Sequence, residues 1–302
     1  MPLQPDLDLK TYLSKKREMV DAALKDYLPE PEGLTSDLIE AMRYSLFAGG
    51  KRLRPILCLA GADAVGPLEK DPLPVACALE LIHTYSLIHD DLPLMDDDDL
   101  RRGKPTSHKV FGEPMALLAG DGLLTEAFRL MTSPEMSVRI SADRLLRVIR
   151  LIAHAAGYGG MVGGQAVDIQ WEGRKADLQV VKFMHTHKTG ALITASVVSG
   201  AMLGGAGESE ISAITAYGEH IGLAFQIADD ILDIEGDSAA LGKRVGADIQ
   251  KGKMTYPAVL GMEESKDIQN TLVQTAIQDL RPFGSSAEPL RQIARYIIER
   301  KT

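Results

Sequence analysis

Residues 81–103 read LIHTYSLIHDDLPLMDDDDLRRG, and their order decides the fold class. Up to His89 the apolar residues recur at three- and four-residue spacing, the period of a helix with a buried face. Asp90 and Asp91 follow at once, Asp96 to Asp99 come next, and Pro93 stands between the two groups. In an unbroken helix Asp90 and Asp96 would point to very different faces. Pro93 removes a backbone donor and crowds the carbonyl four residues earlier. The helix is therefore expected to end or kink there and to bring Asp96 back beside Asp90.

A second acidic segment, FQIADDILDIEGD at 225–237, repeats the pattern of apolar helix running into carboxylates. Asp229 and Asp233 share one helix face, about 6 Å apart along the axis. Like charges at that spacing repel and destabilise the helix unless a cation lies between them. All-oxygen clusters suit Mg²⁺, which takes one or two carboxylates and shares its other positions between water and substrate phosphates. Asp90, Asp91, Asp96, Asp229, Asp230 and Asp233 are therefore candidate metal ligands, whereas Asp97 to Asp99 alone read as a solvated acidic loop. An EF-hand is disfavoured because neither segment carries the glycine and terminal glutamate of that loop.

Working outward, the same helical period recurs along the chain, and alternating β-branched runs joined by short turns are nearly absent. An all-α protein is expected. Leu38, Met42, Ser45 and Leu46 form one helix face, which Ser36 can cap and Gly49-Gly50 can end. Pro55 suits the first turn of the next helix. Further helices are expected over about 75–93, 115–131, 137–157, 178–203, 209–236, 256–264, 266–280 and 287–301. No linker separates two cores, so residues 1–302 are read as one domain.

Hydrophobic residues make up 45% and charged residues 25% of the 302-residue chain, which allows a substantial core. A formal charge of −9 argues against nucleic-acid binding, which depends on clustered Lys and Arg. Cys58 and Cys77 lack a metal-like spacing and read as buried free thiols of a reducing cytoplasm. The uncharged run from Thr189 to Gly207 approaches membrane-spanning length, but it contains five glycines together with Thr194, Ser196 and Ser199, and a buried core helix is expected instead. The first residues lack a signal-peptide core.

The cations of this acidic chain gather locally, in GGKRLRP, DLRRGKP, MHTHKTG and LGKRVGADIQKGK. Lys51 and Arg54 sit beside Gly49-Gly50 at a helix start, where backbone donors and fixed charge favour an anion. His83 lies two turns before Asp90 on nearly the same face. Two sets of carboxylates and two sets of cations point to two diphosphate-bearing substrates, one bound through metal and one bound directly.

These segments, with YSLFAGGKRLRP, AGDGLL, GGQAVD, HKTGAL, FQIADDILD and GADIQKGKMTYP in order, resemble the trans-prenyl diphosphate synthases, and among them the bacterial farnesyl diphosphate synthases (geranyltranstransferases). The resemblance covers most of the chain. It implies the isoprenoid synthase fold, a large antiparallel helix bundle around a central apolar cavity, in a cytoplasmic homodimer. It implies Mg²⁺, about three ions with the allylic diphosphate bound, on Asp90, Asp96 and Asp229, supported by Asp91, Asp230 and Asp233. Arg101, Lys188, Lys243 and Lys253 then match the allylic diphosphate site, and Lys51, Arg54, His83 and Arg102 the isopentenyl diphosphate site. Thr189 and Gln226 would line the reaction centre and Gln165 and Asp168 a glycine-rich segment beside it, while Arg300 and Lys301 would either help close the site or form a solvated tail.

The implied reaction is ionisation of the allylic diphosphate, attack by the isopentenyl double bond, and loss of a proton. Asp90, Asp96, Arg101, Lys188, Asp229 and Lys243 are its expected catalytic groups. Tyr85, about 7.5 Å along the helix axis from Asp90, with Ser86, would floor the cavity and favour a farnesyl over a geranylgeranyl product. A terpene cyclase would not need the second set of cations, and a non-catalytic regulatory subunit of the same fold would be expected to lack one aspartate motif. An acidic calcium-binding or scaffold protein would need no diphosphate.

Overall fold

The structure is a computed structural model that describes residues 7–66, 72–175, 177–236 and 253–299. It is all-α, and among the described residues the only strands are β1 (Leu100–Arg101) and β2 (Lys104–Pro105), which pair as a small antiparallel ribbon. The helices are α1 (Leu9–Tyr27), α2 (Ser36–Leu46), α3 (Leu53–Val65), α4 (Leu73–Asp90), α5 (Ser107–Phe111), α6 (Glu113–Met131), α7 (Pro134–Arg139) and α8 (Ala142–Ala156). They continue as α9 (Met161–Trp171), α10 (Leu178–Met184), α11 (Ala191–Gly204), α12 (Glu208–Glu235), α13 (Tyr256–Leu260), α14 (Met262–Asp279) and α15 (Glu288–Glu299).

Three of these helices set the frame. Most residues of α3, α4 and α11 are buried, so each is covered by neighbours around its circumference. Helix α11 lies along α3 and also packs on α12 and α8, while α4 lies against α6 and α3. One large apolar cluster surrounds α4 and α6, a second joins α3, α11, α12 and α15, and a smaller one joins α10, α12 and α13. No helix among the described residues is long and apolar enough to cross a membrane, and the uncharged run that approaches that length forms the buried α11.

Small residues explain why α11 and α3 come so close. A Cβ placed on Gly200 would stand 1.8 Å from the Cys58 carbonyl oxygen, and one on Gly61 would stand 2.3 Å from that of Val197. The two backbones therefore touch where neither helix carries a side chain. Cys58 and Cys77 are both buried and unbridged, as their apolar surroundings suggest.

Several helix limits differ from those expected, each for a local reason. Helix α4 stops at Asp90, before Pro93 rather than at it. The segment expected as one helix over 137–157 is broken by an extended Ile140 and begins earlier, at Pro134, whose ring suits a first turn. Ser36 is the first helical residue of α2 and not its cap; Thr35 occupies that place. The helix expected over 178–203 is interrupted by a π-helical turn, His185–Gly190. Helix α1 was not anticipated; its first turn is capped by Asp8, whose carboxylate accepts from the Lys10 N–H at 3.2 Å.

Replacing Gly200 with Ala forces α11 off α3, and overpacking of this kind costs about 1–3 kcal/mol. Chemical denaturation should show a clear loss of stability for Gly200→Ala and almost none for Gly284→Ala, where a Cβ meets nothing within 4 Å. Equal stability of the two variants would mean that the helices do not meet backbone to backbone.

Candidate active site

The chain turns sharply after α4. The Asp96 N–H donates to the Asp90 carbonyl at 2.9 Å, and the Met95 and Asp97 N–H groups both donate to the Leu92 carbonyl. Pro93 cannot continue the helix, and the turn returns Asp96 to the side of Asp90, as its position in the sequence implies. Asp97 takes a left-handed backbone conformation in the course of it. Asp90 and Asp96 are half-buried, Asp91 is buried, and Asp97 and Asp99 are exposed.

This concentration of carboxylates is visible in Asp90. Burial first, and then Asp96 and Asp91, push its carboxyl up to about 6, against the opposing pull of Lys188 and Arg101. Arg101 reaches from the β-ribbon and donates Nε to Asp91 Oδ1 at 2.7 Å, with Nη2 3.2 Å from Asp98 Oδ2. Lys253 Nζ lies 3.3 Å from Asp96 Oδ1.

The second motif lies in the last turns of α12. Asp229 is half-buried and Asp233 is buried. Asp230 is also buried: its Oδ2 accepts from the Tyr256 N–H at 2.9 Å and stands 3.4 Å from His185 Nε2, while its Oδ1 accepts from Gln226 Nε2 at 3.4 Å. Asp230 thus ties α12 to α13 and to the π-turn, while both it and Asp229 line the cavity at this end of α12. His185 stacks on Tyr256 with ring centroids 5.3 Å apart, and burial lowers its pKa to about 3, so it is a neutral ring.

The π-turn itself carries two residues of the site. Lys188 and Thr189, adjacent in sequence, line both of two neighbouring cavities. Lys188 Nζ pairs with Asp168 Oδ2 of α9 at 2.6 Å, and Thr189 Oγ1 donates to Gln226 Oε1 at 2.8 Å. Backbones must be close for this geometry, since a Cβ on Gly164 would stand 2.2 Å from the Lys188 nitrogen. The smaller cavity, of about 170 Å³, also holds Asp168, Asp229 and Lys253 in its wall. The larger, of about 400 Å³, runs from Asp90, Arg54 and His83 past Tyr85, Ser86 and His89, with Met161, Val162, Gln165 and Ile169 of α9 on its other side.

The cations of the GGKRLRP loop separate into distinct roles. Arg54 and His83 share the larger cavity, and burial lowers both pKa values, that of Arg54 to about 10; for His83 the nearby Arg54, Arg102 and Arg101 lower it further. The buried Nε of Arg54 makes no hydrogen bond. Arg102, exposed, donates to the Gly49 carbonyl, and a Cβ on Gly50 would stand 2.7 Å from its guanidinium carbon. Lys51 is exposed and lines a different groove, with Leu13 of α1 and Ile297 of α15. Lys243, Arg300 and Lys301 lie outside the described residues.

Arg52 escaped the reading of the sequence. It is 3% exposed, in the left-handed backbone region, and its guanidinium bonds to Glu80 at 2.7 Å, Asp21 at 2.8 Å and the Leu46 carbonyl at 2.7 Å. It joins α1, the end of α2 and α4 beneath the cationic loop. The available signal was Glu80, a lone charge within the apolar α4. Asp97, Asp99 and His108 form a further group whose ligand atoms lie within 4.8 Å of one another and which could hold a metal, although Lys109 pairs with Asp99 at 2.7 Å.

The family model for polyprenyl synthetase matches residues 35–295. The chain is 48% identical to the farnesyl diphosphate synthase of Geobacillus stearothermophilus over 97% of its length and 98% of that protein's. It is 46% identical to the geranylgeranyl diphosphate synthase of Cyanophora paradoxa, over 99% of each chain. The crystal structure of an FPP/GFPP synthase from Zymomonas mobilis superposes with a TM-score of 0.85 at 40% identity, covering 96% of this chain and 99% of that one. The chain belongs to the polyprenyl synthetase family and is a prenyltransferase with the all-helical isoprenoid synthase fold.

The raised pKa of Asp90 predicts how stability without metal depends on pH. Its folded value of about 6 exceeds its ordinary 3.8, so ionising Asp90 costs stability as pH rises through that interval. In EDTA, Asp90→Asn should therefore stabilise the protein above about pH 6 and give no gain below about pH 4. A gain independent of pH would show that Asp90 is not held against its neighbours in this way.

Proposed function

We propose that the protein is a Mg²⁺-dependent farnesyl diphosphate synthase that condenses isopentenyl diphosphate with dimethylallyl and then geranyl diphosphate. One observation carries the reading. The turn at Pro93 returns Asp96 to Asp90, which lines an apolar cavity, with Lys188 shared between that cavity and the one that contains Asp229.

The donor set fits the metal. Asp90, Asp96 and Asp229 offer only carboxylate oxygens, as a hard cation requires, and the raised pKa of Asp90 marks a place where added positive charge is favoured. Bound Mg²⁺ would neutralise the allylic diphosphate as it departs. Asp91, Asp230 and Asp233 are read as supports: Asp91 fixes Arg101, and Asp230 fixes the end of α12.

Lys188, Arg101 and Lys253, with Lys243, supply fixed positive charge for the leaving diphosphate, and such preorganised charge acts strongly where water is excluded. Arg54, His83 and Arg102, with Lys51 from the neighbouring groove, hold the diphosphate of isopentenyl diphosphate. Its double bond attacks the allylic cation, and the departed diphosphate takes the proton whose loss restores an alkene. Thr189 and Gln226 orient each other at the junction of the two cavities. Apolar walls keep water from the cation.

Product length follows from depth. Tyr85 is 6% exposed and lines the larger cavity five residues before Asp90 on α4, where its ring limits how far a prenyl tail can extend. Ser86 donates its hydroxyl to the His83 carbonyl at 2.9 Å and needs no other polar partner. We further propose one domain over residues 1–302, acting in the cytoplasm as a homodimer. The buried, unbridged thiols and the exposed Leu117 and Leu118 of α6 support that assignment.

Incubation with Mg²⁺, isopentenyl diphosphate and dimethylallyl or geranyl diphosphate should yield mainly farnesyl diphosphate, and EDTA should abolish the reaction. Mainly geranylgeranyl diphosphate from the wild type would keep the chemistry and overturn the assigned product. Asp90→Ala should lower kcat about 10²–10³-fold with the fold retained by circular dichroism. Tyr85→Ala should lengthen the products.

A further inference from the structure

We infer that Gly120, on α6 and outside the catalytic groups, sets product length through the ring of His89. The inference rests on the reading of Tyr85 as the cavity floor and explains what holds that floor in place. His89 stands one turn after Tyr85 on α4, and the two rings meet edge to face, with centroids 5.6 Å apart and planes at 82°. His89 Nε2 lies 3.1 Å from the Leu117 carbonyl oxygen of α6, to which the Nε2–H tautomer donates. The ring therefore spans from α6 to the tyrosine while one side lines the cavity.

This span exists because residue 120 has no side chain. A Cβ there would stand 2.2 Å from His89 Nε2 and 2.5 Å from its Cδ2. Ordinary contact would require the ring to move by more than about 1 Å. Leu117 and Tyr85 flank it, and Asp121 Oδ1 stands 3.9 Å from its Nε2; on this inference the displaced ring moves toward the cavity that it lines. A methyl group on α6 thus shortens the space available to a prenyl tail without touching the tail. Removing the His89 ring has the opposite effect: Tyr85 loses the edge contact that fixes it and can swing aside.

Edge-to-face ring contacts in proteins are of a size to change a partition by about fivefold. With Mg²⁺, isopentenyl diphosphate and geranyl or dimethylallyl diphosphate, Gly120→Ala should raise the share of geranyl over farnesyl product by about that factor. His89→Ala should raise geranylgeranyl product to a similar degree. The double variant Gly120→Ala/His89→Ala should lose the shortening, because the added methyl no longer meets a ring. A helix weakened only in its packing would lower turnover without moving chain length in opposite directions.

If both single variants fold and keep the wild-type product distribution while Tyr85→Ala lengthens it, the role of Gly120 and His89 is refuted and the floor stands. If Tyr85→Ala also leaves the products unchanged, the floor reading fails and the inference fails with it. Should Gly120→Ala not fold, His89→Ala decides by itself: longer products support the inference, and unchanged ones overturn it.

Discussion

Negative charge at the end of a helix is the constraint around which this molecule is arranged. The helix dipole places its negative end at the C-terminus, where cations are favoured and carboxylates are not. Yet α4 ends at Asp90 and runs into Asp91 and Asp96, and α12 carries Asp229, Asp230 and Asp233 in its last turns. Such ends persist when other elements bring compensating donors. Arg101 comes from the β-ribbon, Lys188 from the π-turn, Lys253 from the segment before α13, and the Tyr256 N–H from α13 itself. Burial first, and then the neighbouring carboxylates, raise the pKa of Asp90, and this is a cost that a divalent cation can offset.

Those donors arrive in place because of apolar packing some distance away. Backbone contact between α3 and α11 at Gly61 and Gly200 fixes the axis of α11. The π-turn that precedes α11 then presents Lys188 and Thr189 to the space between the two acidic helix ends. Arg52 acts similarly for the cationic loop. Its buried pairing with Glu80 costs desolvation, but it ties the start of α3 to α4 and so fixes Arg54 relative to His83. Polar positions at the surface of the cavity are thus set by contacts that carry no chemistry of their own.

The cavity itself joins opposite requirements within a few residues of α4. Toward its end the helix presents charge, and one turn earlier it presents Tyr85 and an apolar wall. A charged head held at one level and a hydrocarbon tail directed away from it make length a matter of geometry. On the proposed reading, an aromatic ring and its support decide how many units fit in that geometry.

How much of this was legible beforehand depends on the range over which each feature acts. The helices, the buried character of α11 and the return of Asp96 after Pro93 follow from periodicity, charge and proline chemistry within a few residues. The identity of the candidate ligands and cations was likewise written in short motifs. Other features were not legible: the burial of Asp230 beside Tyr256, the Arg52–Glu80 pair and the contact of Gly120 with His89. Each depends on what another helix brings from far along the chain. The sequence by itself determined which groups are charged, apolar or helix-breaking, because those are properties of residues and near neighbours. Tertiary structure alone decided which carboxylates are buried and which partners each one meets, because burial and partner distance exist only once the helices have packed.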